Sequence, residues 1–253
     1  MSRKLVIGNW KMNGNLAAND ALLGDILEQL PLLPTIDVVV CPPFPYLYPV
    51  ARMLRNSMMT LGAQNLATSM AGACTGETSG AMLKDLGARY VLIGHSERRA
   101  LYGETNDIVA RKTAMALEAG LTPVICVGET LEQRQQGDTM TVVQQQLNSA
   151  VEHLGPSAIG RVVIAYEPVW AIGTGQTASS RQAQEVHRWL RELLRRHSGE
   201  QADRVPLLYG GSVKSGNARE LFCQADIDGG LVGGASLDAE QFVAICHAAA
   251  MCG

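Results

Sequence analysis

Val162-Val163-Ile164-Ala165-Tyr166-Glu167-Pro168 is the stretch on which the fold turns. Four apolar residues in succession break the in–out alternation of a strand with one wet face. The pattern predicts a strand buried on both sides, as in a parallel sheet covered by helices. The signature recurs in Val38-Val39-Val40, Val91-Leu92-Ile93 and Val124-Ile125-Cys126-Val127. In all, eight short apolar runs begin near Leu5, Val38, Leu61, Tyr90, Pro123, Val162, Pro206 and Gly229.

Helical periodicity fills the intervals. Leu23, Ile26, Leu27 and Leu30 follow i, i+3, i+4, i+7, and Pro31 is expected to end that helix. Ser179 with Gln182 forms a capping-box pattern, continued by Val186, Leu190, Leu193 and Leu194. Asp238 with Gln241 resembles another cap, followed by Phe242, Ile245, Cys246 and Ala249. Strand and helix thus alternate eight times, with no Pro/Gly/Ser-rich linker between them. Residues 1–253 are expected to form one domain. Alternating units suit either an open doubly wound sheet or a closed barrel. A dinucleotide-binding sheet wants GxGxxG after its first strand, whereas this one ends Gly8-Asn9-Trp10-Lys11. The expectation is therefore a single-domain α/β fold, a (β/α)8 barrel of eight parallel strands ringed by helices.

Composition bounds the function. The 253 residues are 47% hydrophobic and 18% charged, enough for a sizeable core. A net charge of −3 excludes the strongly basic footprint of a general nucleic-acid binder. The longest apolar stretch, Phe242 to Cys252, is interrupted by His247 and falls short of the roughly 20 residues of a spanning helix. Leu5-Val6-Ile7 is too short for the core of a signal peptide. A cytoplasmic protein without membrane partners is expected. Six cysteines, at 41, 74, 126, 223, 246 and 252, show no CxxC spacing. They fit a reducing compartment in which most are small core residues.

In such a barrel, chemistry gathers where the strands end. Those positions offer Asn9 and Lys11, then His95, Ser96 and Glu97, then Cys126 followed by Gly128 and Glu129, and finally Glu167. Gly210-Gly211-Ser212 and Gly233-Gly234-Ala235-Ser236 end the last two strands. Two Gly-rich turns opening onto helices leave backbone N–H groups for an anion, and a third donor is available in Gly173-Thr174-Gly175. Each feature has a plainer explanation when taken alone: tight turns, a rim carboxylate, a capping histidine, a solvated lysine. Taken together they describe a carboxylate base, a neutral donor and a cation around a phosphate site. That set suits proton abstraction next to the carbonyl of a small phosphorylated sugar. Residues 168–178, apolar in the middle and opened by Pro168, suit a lid that excludes water.

At these residues the chain closely resembles the triosephosphate isomerase family. The matching segments are Gly8-Asn9-Trp10-Lys11-Met12-Asn13, Gly76-Glu77, Gly94-His95-Ser96-Glu97-Arg98-Arg99, the run from Ala165 through Gly175, Tyr209-Gly210-Gly211-Ser212-Val213, and Leu231 through Leu237. The resemblance implies an intramolecular aldose–ketose isomerase of glycolysis and gluconeogenesis. Such an enzyme interconverts dihydroxyacetone phosphate and D-glyceraldehyde 3-phosphate through an enediolate, without cofactor or metal. It further implies Glu167 as base, His95 as neutral electrophile and Lys11 as cation beside Asn9, an arrangement for which the family is itself the type case. Gly173, Ser212, Gly233 and Gly234 are implied to hold the phosphate. Glu97 is implied to support Lys11, Ser96 to contact the resting Glu167, and Tyr209 to meet the lid near Ala178. Cys126 matches a structural cysteine beside the base, and Arg191 with Asp226 an ion pair bracing the lid scaffold.

The resemblance also implies a homodimer in which a loop from about Asn65 to Gly80 inserts into the partner, with Thr75 reaching its site. Cys74 departs from the aromatic that the family often places there, and Gly230 from a larger residue in the last strand. Two alternatives stand beside this reading: a Schiff-base aldolase using Lys11, and a non-catalytic phosphosugar-binding protein.

Overall fold

The computed structural model describes residues 3–30, 33–152, 154–172 and 177–253. Pro31, expected to end the first helix, lies outside the described residues. Eight strands run in chain order: β1 Lys4–Asn9, β2 Ile36–Cys41, β3 Thr60–Ala63, β4 Tyr90–Ile93, β5 Thr122–Val127, β6 Val163–Tyr166, β7 Leu207–Tyr209 and β8 Gly229–Val232. Each pairs in parallel with the next, and β8 closes on β1. In that closure Ile7 sits opposite Leu231 on one side and Val39 on the other. The expected eight-stranded parallel barrel is present.

The unbroken apolar runs are explained by two cores on opposite sides of the strands. Leu5, Ile7, Val39, Leu92, Val124, Ala165, Leu208 and Leu231 fill the barrel interior. Their neighbours Val6, Val38, Val40, Val91, Ile93, Ile125 and Ile164 pack outward against the helices. Alternate residues therefore meet different cores, and both must be apolar. Gly230 leaves room in β8 for Phe222, whose ring would lie only 2.8 Å from an added Cβ. The small residue in the last strand is thus matched by a fully buried neighbour.

The described residues contain eleven α-helices rather than eight: α1 Leu16–Gln29, α2 Leu47–Leu54, α3 Gly80–Asp85, α4 Ser96–Tyr102, α5 Asn106–Glu118, α6 Leu131–Gln135, α7 Thr139–Glu152, α8 Pro156–Ile159, α9 Ser180–Ser198, α10 Ser215–Phe222 and α11 Ala239–Ala250. The additional pieces lie in the connections after β4 and β5. There a short helix, capped by His95 or by Thr130, precedes the longer one. The Ser179–Gln182 box caps α9 reciprocally, and the Asp238 side chain accepts the Gln241 N–H at the start of α11.

Arg191 forms the expected ion pair with Asp226 at 3.9 Å and a closer one with Asp228 at 2.5 Å. Asp226 is further held by Gln184 at 2.7 Å. One reading of the sequence needs correction: the cysteines are not all isolated thiols. Cys223 and Cys252 form a disulfide that ties the end of α10 to the residues after α11. Packing of α10 on α11 brings together two residues 29 apart in sequence, a proximity that spacing alone does not reveal. Cys41, Cys126 and Cys246 are buried as expected, whereas Cys74 is exposed. Among the described residues no helix is long and apolar enough to cross a membrane.

Candidate active site

The strand ends deliver their side chains into a cavity of about 670 Å³ at the C-terminal mouth of the barrel. Asn9, Lys11, His95, Glu167, Ser212, Gly233 and Gly234 all line it. These are the described residues read from the sequence as the catalytic and phosphate-binding set. Gly173 and the lid centre, 173–176, lie outside the described residues.

β6 carries Glu167 to the mouth, where its side chain is only 2% exposed. The Ser96 N–H, at the start of α4, donates to Oε2 at 2.8 Å. The resting contact expected from Ser96 is thus made by its backbone rather than its hydroxyl. Oε1 has no hydrogen-bond partner among the described residues, yet it lies 3.1 Å from His95 Nε2. One carboxylate oxygen is therefore anchored while the other faces the cavity and the imidazole. A Cβ at Gly210 would approach the Glu167 Cγ to 2.9 Å, so this position has no room for a side chain beside the base.

His95 follows Gly94, which adopts φ +67°, a left-handed turn that aims the next residue across the mouth. The ring caps α4 by accepting the Glu97 N–H at Nδ1, 3.2 Å away. A nitrogen that accepts cannot carry the proton, so the ring hydrogen sits on Nε2, the atom turned towards Glu167.

Lys11 is the described non-glycine residue with positive φ, at 51°. Its N–H bonds the Asn9 carboxamide oxygen at 3.0 Å, and Gln64 donates to its carbonyl at 2.8 Å. Those bonds hold a conformation that ordinarily costs about 1–3 kcal/mol and costs most when nothing supports it. The Nζ then reaches the Glu97 carboxylate at 2.6 Å.

The triosephosphate isomerase family model matches residues 4–249. The chain belongs to the triosephosphate isomerase family. Relatives named triosephosphate isomerase agree along almost the whole length. The one from Nitrosococcus oceani is 52% identical over 249 residues, covering 98% of this chain and 100% of the relative. Those from Herminiimonas arsenicoxydans and Cupriavidus pinatubonensis are 53% and 54% identical over the same length and coverage. The chain is accordingly an isomerase on the barrel that gives the family its fold.

Several residues of this family member were not assigned roles from sequence. Glu129 is fully buried beneath the start of the lid. It accepts the Tyr166 hydroxyl at 3.1 Å and the Trp170 indole N–H at 2.9 Å, and it pairs with Arg134 at 3.1 Å. The Arg134 guanidinium also stacks 4.6 Å above the Trp170 ring. Arg99 donates to the Gly94 carbonyl at 2.8 Å and to the Cys126 carbonyl at 3.2 Å, joining the ends of β4 and β5 behind the base. Lys214 lines the cavity beside the Gly-rich turns, as do Asp238 and Gln241, which the sequence offered only as a helix cap. The signal at Lys214 was its position one turn beyond Gly210-Gly211.

The buried Tyr209 hydroxyl makes no hydrogen bond of ordinary geometry among the described residues, close as it is to the Ala178 backbone. Burial pushes the Tyr209 phenol up to about 12, opposed by the backbone N–H of Ala178, which is where the lid returns to α9. Burial, with the nearby Glu167 charge, holds the Cys126 thiol well above its ordinary range. A thiol so protected is a packing group, not a nucleophile. Among the described residues no group of His, Cys, Asp and Glu could hold a metal ion. Thr75 and Cys74 sit on an exposed loop.

Proposed function

We propose that Glu167, His95 and Lys11 interconvert dihydroxyacetone phosphate and D-glyceraldehyde 3-phosphate through an enediolate. The observation that carries this is the buried carboxylate of Glu167 in the lining of the cavity, with its Oε1 3.1 Å from the imidazole Nε2. Glu167 removes the proton from one substrate carbon and returns it to the other. The Nε2–H of His95 donates to the substrate oxygen as negative charge develops, then moves that proton between the two oxygens. Lys11 supplies positive charge to the same oxygens, with Asn9 beside it. The backbone N–H groups of Ser212, Gly233 and Gly234, with Gly173, hold the phosphate. Residues 168–178 close over the intermediate, steadied at one end by Trp170 on Glu129 and at the other by Ala178 near Tyr209.

The second copy expected of the family enters the same reading. Residues 71–77 are exposed on the long loop after β3, and Met12, next to Lys11, is 92% exposed. Both are reasonable faces for a homodimer in which Thr75 of each chain supports the other's site. A cytoplasmic location belongs to the proposal as well.

A Schiff-base aldolase fits less well. Lys11 Nζ is bound to the Glu97 carboxylate at 2.6 Å, so the nitrogen is already engaged rather than free to attack a carbonyl. The test is a coupled assay from D-glyceraldehyde 3-phosphate, following dihydroxyacetone phosphate through glycerol-3-phosphate dehydrogenase. Turnover with no borohydride-trapped adduct on Lys11 supports isomerisation. A trapped adduct with cleavage activity would replace the isomerase reading.

A further inference from the structure

We propose that an arginine-lined hollow at the opposite mouth of the barrel binds a soluble, multiply charged phosphate compound. The hollow has a volume of about 710 Å³, within the range of ligand sites, and lies at the N-terminal ends of the strands. Arg3 precedes β1, Asp37 is the second residue of β2, and Arg89 precedes β4. The last turn of α2 adds Arg52, and Arg55 follows it. Four guanidinium groups from three parts of the chain thus open into one space.

Charge is concentrated there against the trend of the molecule. Four arginines face two carboxylates, Asp37 and Asp85, leaving two positive charges, whereas the whole chain carries −3. Arg3 is occupied, pairing with Asp37 at 3.2 Å and donating to the Ile36 carbonyl at 3.0 Å. Arg52, Arg55 and Arg89 have no carboxylate within 4.0 Å among the described residues. A cleft lined by one sign of charge focuses its field on oppositely charged solutes. Planar guanidinium forks match phosphate oxygens two at a time and stay charged at any working pH. Several of them favour a compound with two or more phosphate groups over a single phosphate. The Ser57 hydroxyl, also in the lining, is occupied by the Leu54 carbonyl at 3.1 Å, so the hollow is equipped to bind rather than to react.

Calorimetric titration with tripolyphosphate tests this, because the substrate mouth also binds anions and must be told apart. The Arg52→Gln/Arg89→Gln double variant is expected to lose about tenfold or more in affinity, as removal of charge-assisted bonds implies. Both residues are exposed, and the double variant should keep native melting and isomerase turnover. Asp85→Asn, which removes a competing carboxylate, should tighten binding. Lys11→Met, at the other mouth, should leave it unchanged. Undiminished affinity in the double variant would overturn the proposal, as would loss of binding in Lys11→Met. Co-sedimentation with phosphatidylserine vesicles, with no response to tripolyphosphate, would point to a membrane headgroup and overturn the soluble ligand.

Discussion

The Lys11 ammonium and the Glu97 carboxylate meet at 2.6 Å, and the backbone N–H of the same Glu97 donates to Nδ1 of His95 at 3.2 Å. One residue therefore fixes both the position of the cation and the tautomer of the imidazole. The two functions separate cleanly, because only the first depends on the side chain. Glu97→Gln is expected to keep the His95 tautomer but release Lys11 from its place. Displacing a positioned group by about 1 Å can cost up to about 10²-fold in rate. Steady-state kinetics should show that loss chiefly in kcat. An unchanged kcat would mean that Lys11 needs no such partner.

Removing the base should be more severe. Glu167→Gln keeps the shape and the Ser96 anchor but cannot accept a proton, and general-base catalysis is worth about 10²–10⁴-fold. Turnover should fall by that order while inorganic phosphate still binds at the Gly-rich turns. Near-native turnover in this variant would sink the assignment of Glu167.

Much of this was legible in advance, for a physical reason. The barrel buries both faces of every strand, so Val163-Ile164-Ala165 reads as an unbroken apolar run. Polar residues at the ends of those runs, such as Asn9, His95 and Glu167, then stand out. What stayed hidden depends on distant parts of the chain meeting. Glu129 gains its role only because Trp170, Tyr166 and Arg134 converge on it. Arg191 takes Asp228 as a second, closer partner beside Asp226 through the packing of α9. No local pattern encodes either choice, and none encodes the bond between Cys223 and Cys252.

That disulfide closes a loop of 29 residues and should contribute about 3–4 kcal/mol by restricting the unfolded chain. In a chain of this size, that corresponds to a loss of roughly 6–16 °C in Tm on reduction. Calorimetry with and without a thiol reductant measures it, and Cys252→Ser should reproduce the reduced value. Because α10 and α11 follow the two Gly-rich turns, any effect on catalysis should appear in KM before kcat. A reductant-insensitive Tm would show that the bond is not formed in the protein as purified.

His187 sets the response to moderate acid. It is fully buried, wedged against the Tyr166 and Tyr209 rings, with Nδ1 2.7 Å from the Ala183 carbonyl. Burial lowers its pKa from 6.5, outweighing the backbone carbonyls that favour the charged form. The unfolded chain then binds a proton that the folded chain refuses, so stability rises with pH through this window. The contribution is complete above about 6.5 and falls away as pH drops below it, towards the lower folded value. Glu104 acts further down. Burial alone would raise its pKa, but hydrogen bonds from Lys112 and Arg98 bring it below 4.5, so its contribution is lost only below that value. Urea midpoints should therefore decline in two stages on acidification, and His187→Gln should flatten the first.

Gly210 gives the sharpest separation of catalysis from folding. It follows β7, and a Cβ there would meet the Glu167 Cγ at 2.9 Å and the Tyr166 carbonyl oxygen at 3.2 Å. The carbonyl belongs to a strand held on both sides and cannot yield, whereas the carboxylate side chain can rotate. Gly210→Ala should therefore push Glu167 away from the Ser96 N–H and from His95 while leaving the barrel closed. The cost of overpacking is about 1–3 kcal/mol of stability, which a folded barrel survives. Turnover should drop by up to about 10²-fold through misplacement of the base. Melting curves and kinetics on the same preparation decide the matter. A variant that melts early yet turns over normally would show that the base tolerates the shift, and that Gly210 is small for the sake of the strand.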